Sequence, residues 1–375
     1  MSINPSLKKE KIGKVSVFFA MFVAIMLVQT PYMRIGTISA FLTIFLTLLA
    51  FCLNHNSIKL TKFNISLLVF LGIAFVRTSF NLELISFKLI LQGIMCVVLA
   101  SYKANERENE FLKRVLEIAA LVYAVLIIIS CIKMGDSKYI HGTIDLFNTS
   151  LDPNFVGFPL LMGAALFLSN IFDRKRLLVS LISFAVIVTS IFFTSSRGNA
   201  VAIIALCALK LILFLFNNKV PMIRKYFVFI LSIAFLVIVF YYLSKILGDQ
   251  WDRMSDFGEG FDNGRLSLWK QAIDMWADNI IFGVGLGGFV SEVGFATHNT
   301  YITVLVETGV VGLFFFISLI VSLIKKAWRC GESVFLMLFV VLLHMFTIDA
   351  LDNRCVWAAI GFVCIYSIQQ KRNLQ

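Results

Sequence analysis

The sequence lacks any polar stretch long enough to fold as a separate soluble domain. Hydrophobic residues make up 59% of its 375 residues and the mean hydropathy is +0.89, whereas soluble proteins contain about 45–50% apolar residues. Apolar runs of about 17–25 residues, the length that crosses a bilayer as a helix, recur along the whole chain. The composition therefore predicts a polytopic membrane protein with a single integral membrane domain over residues 1–375.

Several other signals are missing as well. The first apolar run, Val15 to Gln29, is followed by no small-x-small cleavage site, so we expect a retained first helix rather than a signal peptide. The seven cysteines form no CxxC pair and none lies in residues 248–297, which disfavours disulfide and zinc sites. The net charge of +11 comes from Lys and Arg that lie mostly in short loops, where they set membrane orientation. We therefore expect no nucleic-acid partner.

Twelve apolar segments are visible, without an internal repeat. Basic residues are concentrated in alternate loops, which predicts twelve spans with both termini in the cytoplasm. The predicted spans lie near 15–29, 35–53, 63–76, 84–101, 115–132, 155–171, 177–194, 199–216, 226–247, 299–324, 334–350 and 355–368. The expected fold class is all-α, with about twelve transmembrane helices.

Two of the predicted outside loops are long. Residues 133–154 end in SLDPN, a turn signal before the sixth span, and residues 248–297 form the main extramembrane feature. Within the second loop, Gly264 to Asp278 carries apolar residues at helical spacing, which predicts an amphipathic helix. Its two Trp residues suit a position among the lipid headgroups, and the alternative is a helix that covers the bundle.

Two arginines are candidates for binding an anion. Arg197 lies in TSSRGNAV, the tight outside turn between the seventh and eighth spans. A guanidinium is always charged and its planar fork of donors suits phosphate, although an interfacial arginine that snorkels is equally compatible with the sequence. Arg265 begins the predicted loop helix, whose N-terminus would add backbone donors, and the alternative for it is an ordinary solvated charge.

His298 and Glu307 are the ionisable residues at the start of the tenth span. A histidine with a pKa near 6.5 suits proton abstraction at neutral pH, and the alternative is a hydrogen-bonded interfacial histidine. Glu307 lies about 13 Å deeper along one straight helix and cannot contact His298 there. A buried carboxylate in a span is a functional-site hypothesis by default, but we favour a structural role, pairing with Lys88 or with a hydroxyl on another span.

Three further patterns receive structural interpretations. Gly283, Gly285 and Gly288 match GxGxxG, but no βαβ unit surrounds them, so they are expected to let the loop turn tightly beside substrate or a helix. His344 is expected to be hydrogen-bonded within the bundle. The turn that carries Asp349, Asp352 and Arg354 is expected to hold a local ion pair.

Taken in order, these motifs resemble those of the O-antigen ligase and polymerase superfamily of bacterial envelope glycosyltransferases. The motifs are SSRG in a short outside turn, RLSLW in the loop helix, the GVGLGGF that follows, and the span that opens HNTYITVLVETGVVG. The resemblance covers roughly Asp152 to Phe315, while the first five spans are similar only in hydropathy.

The resemblance implies a GT-C-like membrane fold in the bacterial inner membrane, with an active site facing the periplasm. It implies an undecaprenyl-pyrophosphate-linked oligosaccharide as donor, no cofactor and no required metal. It suggests that His298 is the base or orienting group for the acceptor hydroxyl, and that Arg197 and Arg265 hold the donor pyrophosphate. Asn154, Asn299 and Glu307 are expected as supporting residues. A chain-length regulator and a flippase of the same pathway are the expected protein partners.

Within this superfamily the motifs are more similar to polymerases, which join lipid-linked oligosaccharides, than to ligases, which transfer finished glycan to the lipid A core. A transporter is the alternative from another class. It would predict ionisable residues at the bilayer midplane in paired repeats, whereas the candidate charges here cluster at the outside rim. A scaffold protein of an envelope assembly complex is a third possibility.

Overall fold

The structure of the chain is a computed structural model that describes residues 11–28, 33–54, 56–77, 84–134, 144–146, 149–230, 241 and 264–366. The first eight helices are α1 (Lys14–Val28), α2 (Met33–Leu53), α3 (Lys62–Arg77), α4 (Leu84–Ser101), α5 (Glu106–Met134), α6 (Pro153–Phe172), α7 (Leu177–Phe193) and α8 (Arg197–Leu215). The helices that follow are α9 (Arg265–Ala277), α10 (Gly288–Val293), α11 (Thr300–Cys330), α12 (Glu332–His344) and α13 (Arg354–Tyr366).

In the described residues the predicted all-helical class is confirmed except for one short hairpin. Strands β1 (Ile144–Leu146) and β2 (Thr149–Leu151) pair antiparallel directly before α6. The chain then turns at SLDPN as predicted, because the Asp152 carboxylate caps α6 by accepting the amide of Asn154, and Pro153 occupies the first helical position. The hairpin thus leads directly into the helix that lies at the centre of the bundle.

Within the part of the chain that the structure describes, four helices are long and apolar enough to cross a membrane, namely those at 106–133, 153–172, 197–215 and 300–330. Shorter apolar helices occupy the positions of seven other predicted spans. The predicted span near 226–247 lies largely outside the described residues, of which 222–230 are helical. The count of twelve spans and their orientation therefore stay predictions.

Helix α6 lies at the centre of the bundle. It contacts α5, α7, α8 and α12, and it is buried along almost its whole length. Helix α13 is buried to a similar extent and packs on α4, α11 and α1. Apolar side chains that a soluble protein would hide are exposed on the outer helices, among them Leu178, Ile182 and Val201. This distribution is expected for a bundle whose outer surface contacts lipid.

The end of α12 and the course of α11 differ from the sequence prediction. Helix α12 ends at His344 rather than near residue 350, since Met345 and Ile348 turn their carbonyl groups to Thr300 at the start of α11. Helix α11 is not straight, because Gly309 has φ 66° and ψ −170° and interrupts it. Apolar periodicity continues across both positions, so the hydropathy pattern contains no sign of either break.

Candidate active site

Several loops meet at one end of the bundle, which we call the site end. It consists of the N-termini of α6, α8 and α11 and the turn between α12 and α13. The Ser196 hydroxyl, before α8, donates to Asn154 Oδ1 of α6 at 2.7 Å, and Thr300 N of α11 donates to the Met345 carbonyl at 3.0 Å. The candidate residues on distant parts of the sequence therefore reach one region of the structure.

His298 stands at the site end, one residue before the N-cap of α11. Its backbone is left-handed, with φ 54°, a conformation that is uncommon for residues other than glycine. Thr297 is fully buried, and its hydroxyl accepts the amide of Asn299 at 3.1 Å. Asn299 in turn caps α11, accepting the amides of Tyr301 and Ile302. The backbone on both sides of His298 is therefore held in place by hydrogen bonds. This fixes the direction in which the half-buried imidazole extends from the backbone.

Two charged residues act on the His298 imidazole. Burial lowers its pKa below the ordinary value of 6.5, the positive charge of Arg265 lowers it further, and the negative charge of Asp152 opposes the shift. The histidine is therefore neutral at pH 7, which is the form that can accept a proton.

Arg265 is the first residue of α9, and the predicted loop helix is confirmed with bounds Arg265–Ala277. The indole N–H of Trp269, one turn further on, donates to the Thr297 carbonyl at 2.8 Å. Ala272 is buried with Phe289 and with Val306 of α11. These contacts fasten α9 along the first half of α11, so this helix covers the bundle.

Arg197 is linked to the site end by a different route. It is the first residue of α8 and half-buried. Ser196, the N-cap, accepts the amide of Asn199 and donates to Asn154 Oδ1. The Asn199 side chain donates to the Pro153 carbonyl at 2.8 Å. The SSRG turn, and Arg197 with it, is thus tied to the start of α6.

Asn154 connects this turn to a buried histidine. The carbonyl of Asn154 pairs with His344 Nε2 at 2.8 Å, and Thr347 Oγ1 lies 2.9 Å from His344 Nδ1. A carbonyl only accepts, so Nε2 carries the proton and, in the neutral ring, Nδ1 accepts from the Thr347 hydroxyl. A side chain at Gly198, beside Arg197, would contact Thr347. The expectation that His344 is hydrogen-bonded within the bundle is confirmed, and its partners lie directly behind the site.

The remaining supporting candidates are less central. Asn299 acts on the backbone as the N-cap of α11. Glu307 is buried just before the interruption at Gly309, and its carbonyl accepts the amide of Gly285. Its position beside the interruption, several turns from His298, agrees with the expected structural role.

Two carboxylates at the site end were not among the predicted site residues. The sequence presents Asp152 only as part of the SLDPN turn. In the structure it is the N-cap of α6, so it lies where the loop enters that helix. Asp349 accepts the Thr303 hydroxyl at 2.8 Å, and burial raises its pKa to about 6. Thr303 Oγ1 also lies 2.7 Å from Thr297 Oγ1, so a hydroxyl chain runs from Asp349 to the residue before His298.

A family model described as O-antigen ligase matches residues 182–317, just over a third of the chain. The match begins within α7 and ends within α11. It includes Arg197, Arg265, His298 and Glu307, whereas the start of α6 and the turn between α12 and α13 lie outside it. No curated protein matches the chain.

Proposed function

We propose, from the O-antigen ligase domain at residues 182–317, that this member of the O-antigen ligase and polymerase superfamily is a polysaccharide polymerase. It would join undecaprenyl-pyrophosphate-linked oligosaccharide repeat units into O-antigen or a related surface polysaccharide. The reaction would take place at the periplasmic face of a bacterial inner membrane, with both termini of the chain in the cytoplasm. A chain-length regulator and a flippase of the same pathway would be its protein partners.

The proposed reaction is a single inverting displacement at the anomeric carbon of the donor. The acceptor hydroxyl oxygen forms a bond to that carbon, the bond from the carbon to the pyrophosphate oxygen breaks, and the hydroxyl proton passes to His298. The lipid pyrophosphate leaves with the bonding electrons. A neutral imidazole assists as the hydroxyl becomes acidic, and Arg197 and Arg265 would stabilise the charge that develops on the leaving group.

One observation carries this proposal. The half-buried His298 lies at the end of a bundle of apolar helices, next to Thr297, whose carbonyl accepts the indole N–H of Trp269 and so brings the first turn of α9, with Arg265, to the histidine; burial and the charge of Arg265 lower the pKa of His298. The lowered pKa supports a role as base, and the neighbouring guanidinium supports binding of an anionic donor. A lipid-linked pyrophosphate suits this position in the bundle, because its charged group must stay at the membrane surface while its tail stays in the apolar layer.

A second candidate is the ligase reaction, which the description of the matching family model favours. The donor and the residue roles would be the same, and the acceptor would be a sugar of the lipid A core instead of a second lipid-linked repeat unit. Both reactions need a hydroxyl acceptor, a base and an anion site, so the residues at the site end support them equally.

Analysis of the surface glycan of a strain that lacks the gene tests the proposal. A single repeat unit on the lipid A core is the result expected for a polymerase. Full-length polymer retained on the lipid carrier, together with a bare core, would assign the ligase reaction instead. Unchanged glycan with loss of a solute flux would reject both and support a transporter.

A further inference from the structure

The interruption of α11 at Gly309 is filled by another part of the chain, which we call the inserted segment, residues 279–286. In a continuous helix the amides of Val310 and Val311 would donate to the carbonyl groups four residues earlier, at Val306 and Glu307. Here those two amides donate to the carbonyls of Ile280 and Ile281 instead, at 2.9 and 3.3 Å. The helix has therefore exchanged two of its own hydrogen bonds for bonds to the inserted segment.

The carbonyl groups released by this exchange are also satisfied by the inserted segment. Val306 O accepts the amide of Val284, and Glu307 O accepts the amide of Gly285, both at 2.9 Å. Four bonds thus replace two, and the two amides and two carbonyls of α11 that the break separates all have partners in the inserted segment. Non-helical backbone among apolar helices is tolerated only under that condition.

Glycine makes this close approach possible at two positions. Gly309 has φ 66°, and a Cβ there would overlap the Ile281 carbonyl. Gly283 has φ 67°, and a Cβ there would overlap the backbone of Val306 and Glu307. Gly309 lets α11 approach the inserted segment, and Gly283 lets the inserted segment approach α11. Each glycine is therefore required on its own side of the contact.

The inserted segment directly follows α9 and therefore decides where that helix lies. Helix α9 is held at one end by the bond from Trp269 to the Thr297 carbonyl and at the other end by the inserted segment. Between these two ends, Ala272 of α9 packs on Val306 of α11. Helix α9 thus runs beside the first half of α11, and Arg265, one turn before Trp269, lies near the loop that carries Thr297 and His298.

We propose that Gly283 and Gly309 are positioning residues, which act by letting the inserted segment enter α11 and hold Arg265 beside His298. This inference rests on the proposed function for the role of Arg265. The same geometry allows a second arrangement, in which the segment withdraws and α11 closes into a continuous helix. An alanine at position 309 favours that arrangement, because it both blocks the segment and prefers helical φ.

Hydrogen exchange on the purified protein in lipid nanodiscs tests the exchange of bonds without any substrate. In Gly309→Ala, the amides of residues 284 and 285 should exchange roughly tenfold faster or more, because they lose their acceptors. The amides of residues 310 and 311 should stay protected, since the closed helix supplies new acceptors. Gly283→Ala should accelerate the same amides from the other side of the contact.

Gly294→Ala is the matched control. Gly294 also has a positive φ, 81°, and lies in the same region, but no atom is within 4 Å of its Cβ direction. It carries the same backbone strain on substitution without the contact to α11. Unchanged exchange at residues 284 and 285 in Gly309→Ala would overturn the proposal, and so would loss of protection at residues 310 and 311 together with them.

The link to Arg265 is tested by a double-mutant cycle on polymer formation from purified lipid-linked repeat units. Gly309→Ala should lower kcat/KM by roughly 100-fold, since misplacement by about 1 Å can cost that much. In the Arg265→Ala background it should add little, because the positioned group is already gone. Additive losses would overturn the positioning role. Wild-type protein that makes no polymer and transfers no glycan, while its exchange pattern responds as expected, would reject the proposed function alone.

Discussion

At the scale of single residues, the proposed chemistry depends on the environment of His298. The positive charge of Arg265 and the negative charge of Asp152 act on its imidazole in opposite directions. Asp152 also caps α6, and asparagine caps a helix about as well as aspartate. The substitution Asp152→Asn therefore removes the charge while leaving the helix start intact, which makes the electrostatic contribution separable from the structural one.

We predict that Asp152→Asn shifts the pH dependence of the reaction downwards. A nearby negative charge stabilises the protonated imidazole, so its removal lowers the pKa of His298 further below 6.5. The base then stays neutral to lower pH, and the acid limb of kcat/KM moves to lower pH. The measurement is a pH profile of polymer formation by wild type and variant. An unchanged or upward-shifted acid limb would contradict the assignment of His298 as the base.

Arg197 is predicted to be required for its shape as well as its charge. An ammonium group cannot reproduce the two parallel donors of a guanidinium on phosphate. Arg197→Lys should therefore reduce activity nearly as much as Arg197→Ala, at equal protein level in the membrane. Full activity of the lysine variant would return Arg197 to the role of an interfacial arginine that only snorkels.

The residue network behind the site was only partly predictable from sequence. Candidate residues next to helix starts, such as Arg197 and His298, are recognisable because a charged or titratable group at a loop boundary stands out in an apolar sequence. The partner of His344 was not recognisable from the sequence, because Asn154 lies 190 positions away and pairs through its backbone carbonyl. Backbone acceptors carry no side-chain signature, so such a contact appears only when the helices are packed.

At the scale of elements, α9 links the large loop to the core. The bounds of this helix were predicted almost to the residue, since its apolar positions recur at helical spacing. The interruption of α11 was not predicted, because the apolar run continues through Gly309 and the compensating bonds come from a segment about 30 positions away. Apolar periodicity shows which face of a helix is buried. It contains no information about backbone hydrogen bonds that one element makes to another.

We predict that Trp269→Phe loosens the attachment of α9. The substitution keeps the aromatic ring and removes the N–H that donates to the Thr297 carbonyl at 2.8 Å. A net hydrogen bond contributes about 1 kcal/mol, which corresponds to a fall of roughly fivefold in kcat/KM for the lipid-linked donor. The measurement is steady-state kinetics in nanodiscs.

Trp276→Phe serves as the control for that variant. Its indole N–H donates to the Ile280 carbonyl at 3.2 Å, and that carbonyl still accepts the amide of Val310 when the indole N–H is removed. Its activity should stay close to that of wild type. An equal loss in both variants would mean that the indole of Trp269 has no special role in holding α9.

At the scale of the whole molecule, the two ends of the bundle have different characters. Opposite the site end, Glu117 accepts hydrogen bonds from Asn170 and from Arg176, each at 2.8 Å, and Lys210 of α8 pairs with Glu332 of α12. These groups lie where α6 and α8 end and where α7 and α12 begin. The basic residues of this end agree in sign with the cytoplasmic side predicted from the loops.

The orientation of the bundle gives a labelling prediction. Ser291 of α10 is exposed on the site-end side, and Asp173 is exposed in the turn between α6 and α7 at the opposite end. In a Cys52→Ser background, which removes the exposed native thiol, Ser291→Cys should react with a membrane-impermeant maleimide in intact spheroplasts. Asp173→Cys should react only after permeabilisation. The reverse pattern would contradict a periplasmic site.

The proposed role of His298 in glycosyl transfer is tested most directly with purified His298→Ala in lipid nanodiscs supplied with lipid-linked repeat units. The imidazole is half-buried at the end of the bundle, so its removal should leave the fold and the hydrogen-exchange pattern of α11 unchanged. Polymer formation by His298→Ala should be abolished. His298→Gln should form at most a trace of polymer, if the histidine also orients the acceptor hydroxyl. Polymer of wild-type length and amount from His298→Ala would contradict the proposed role.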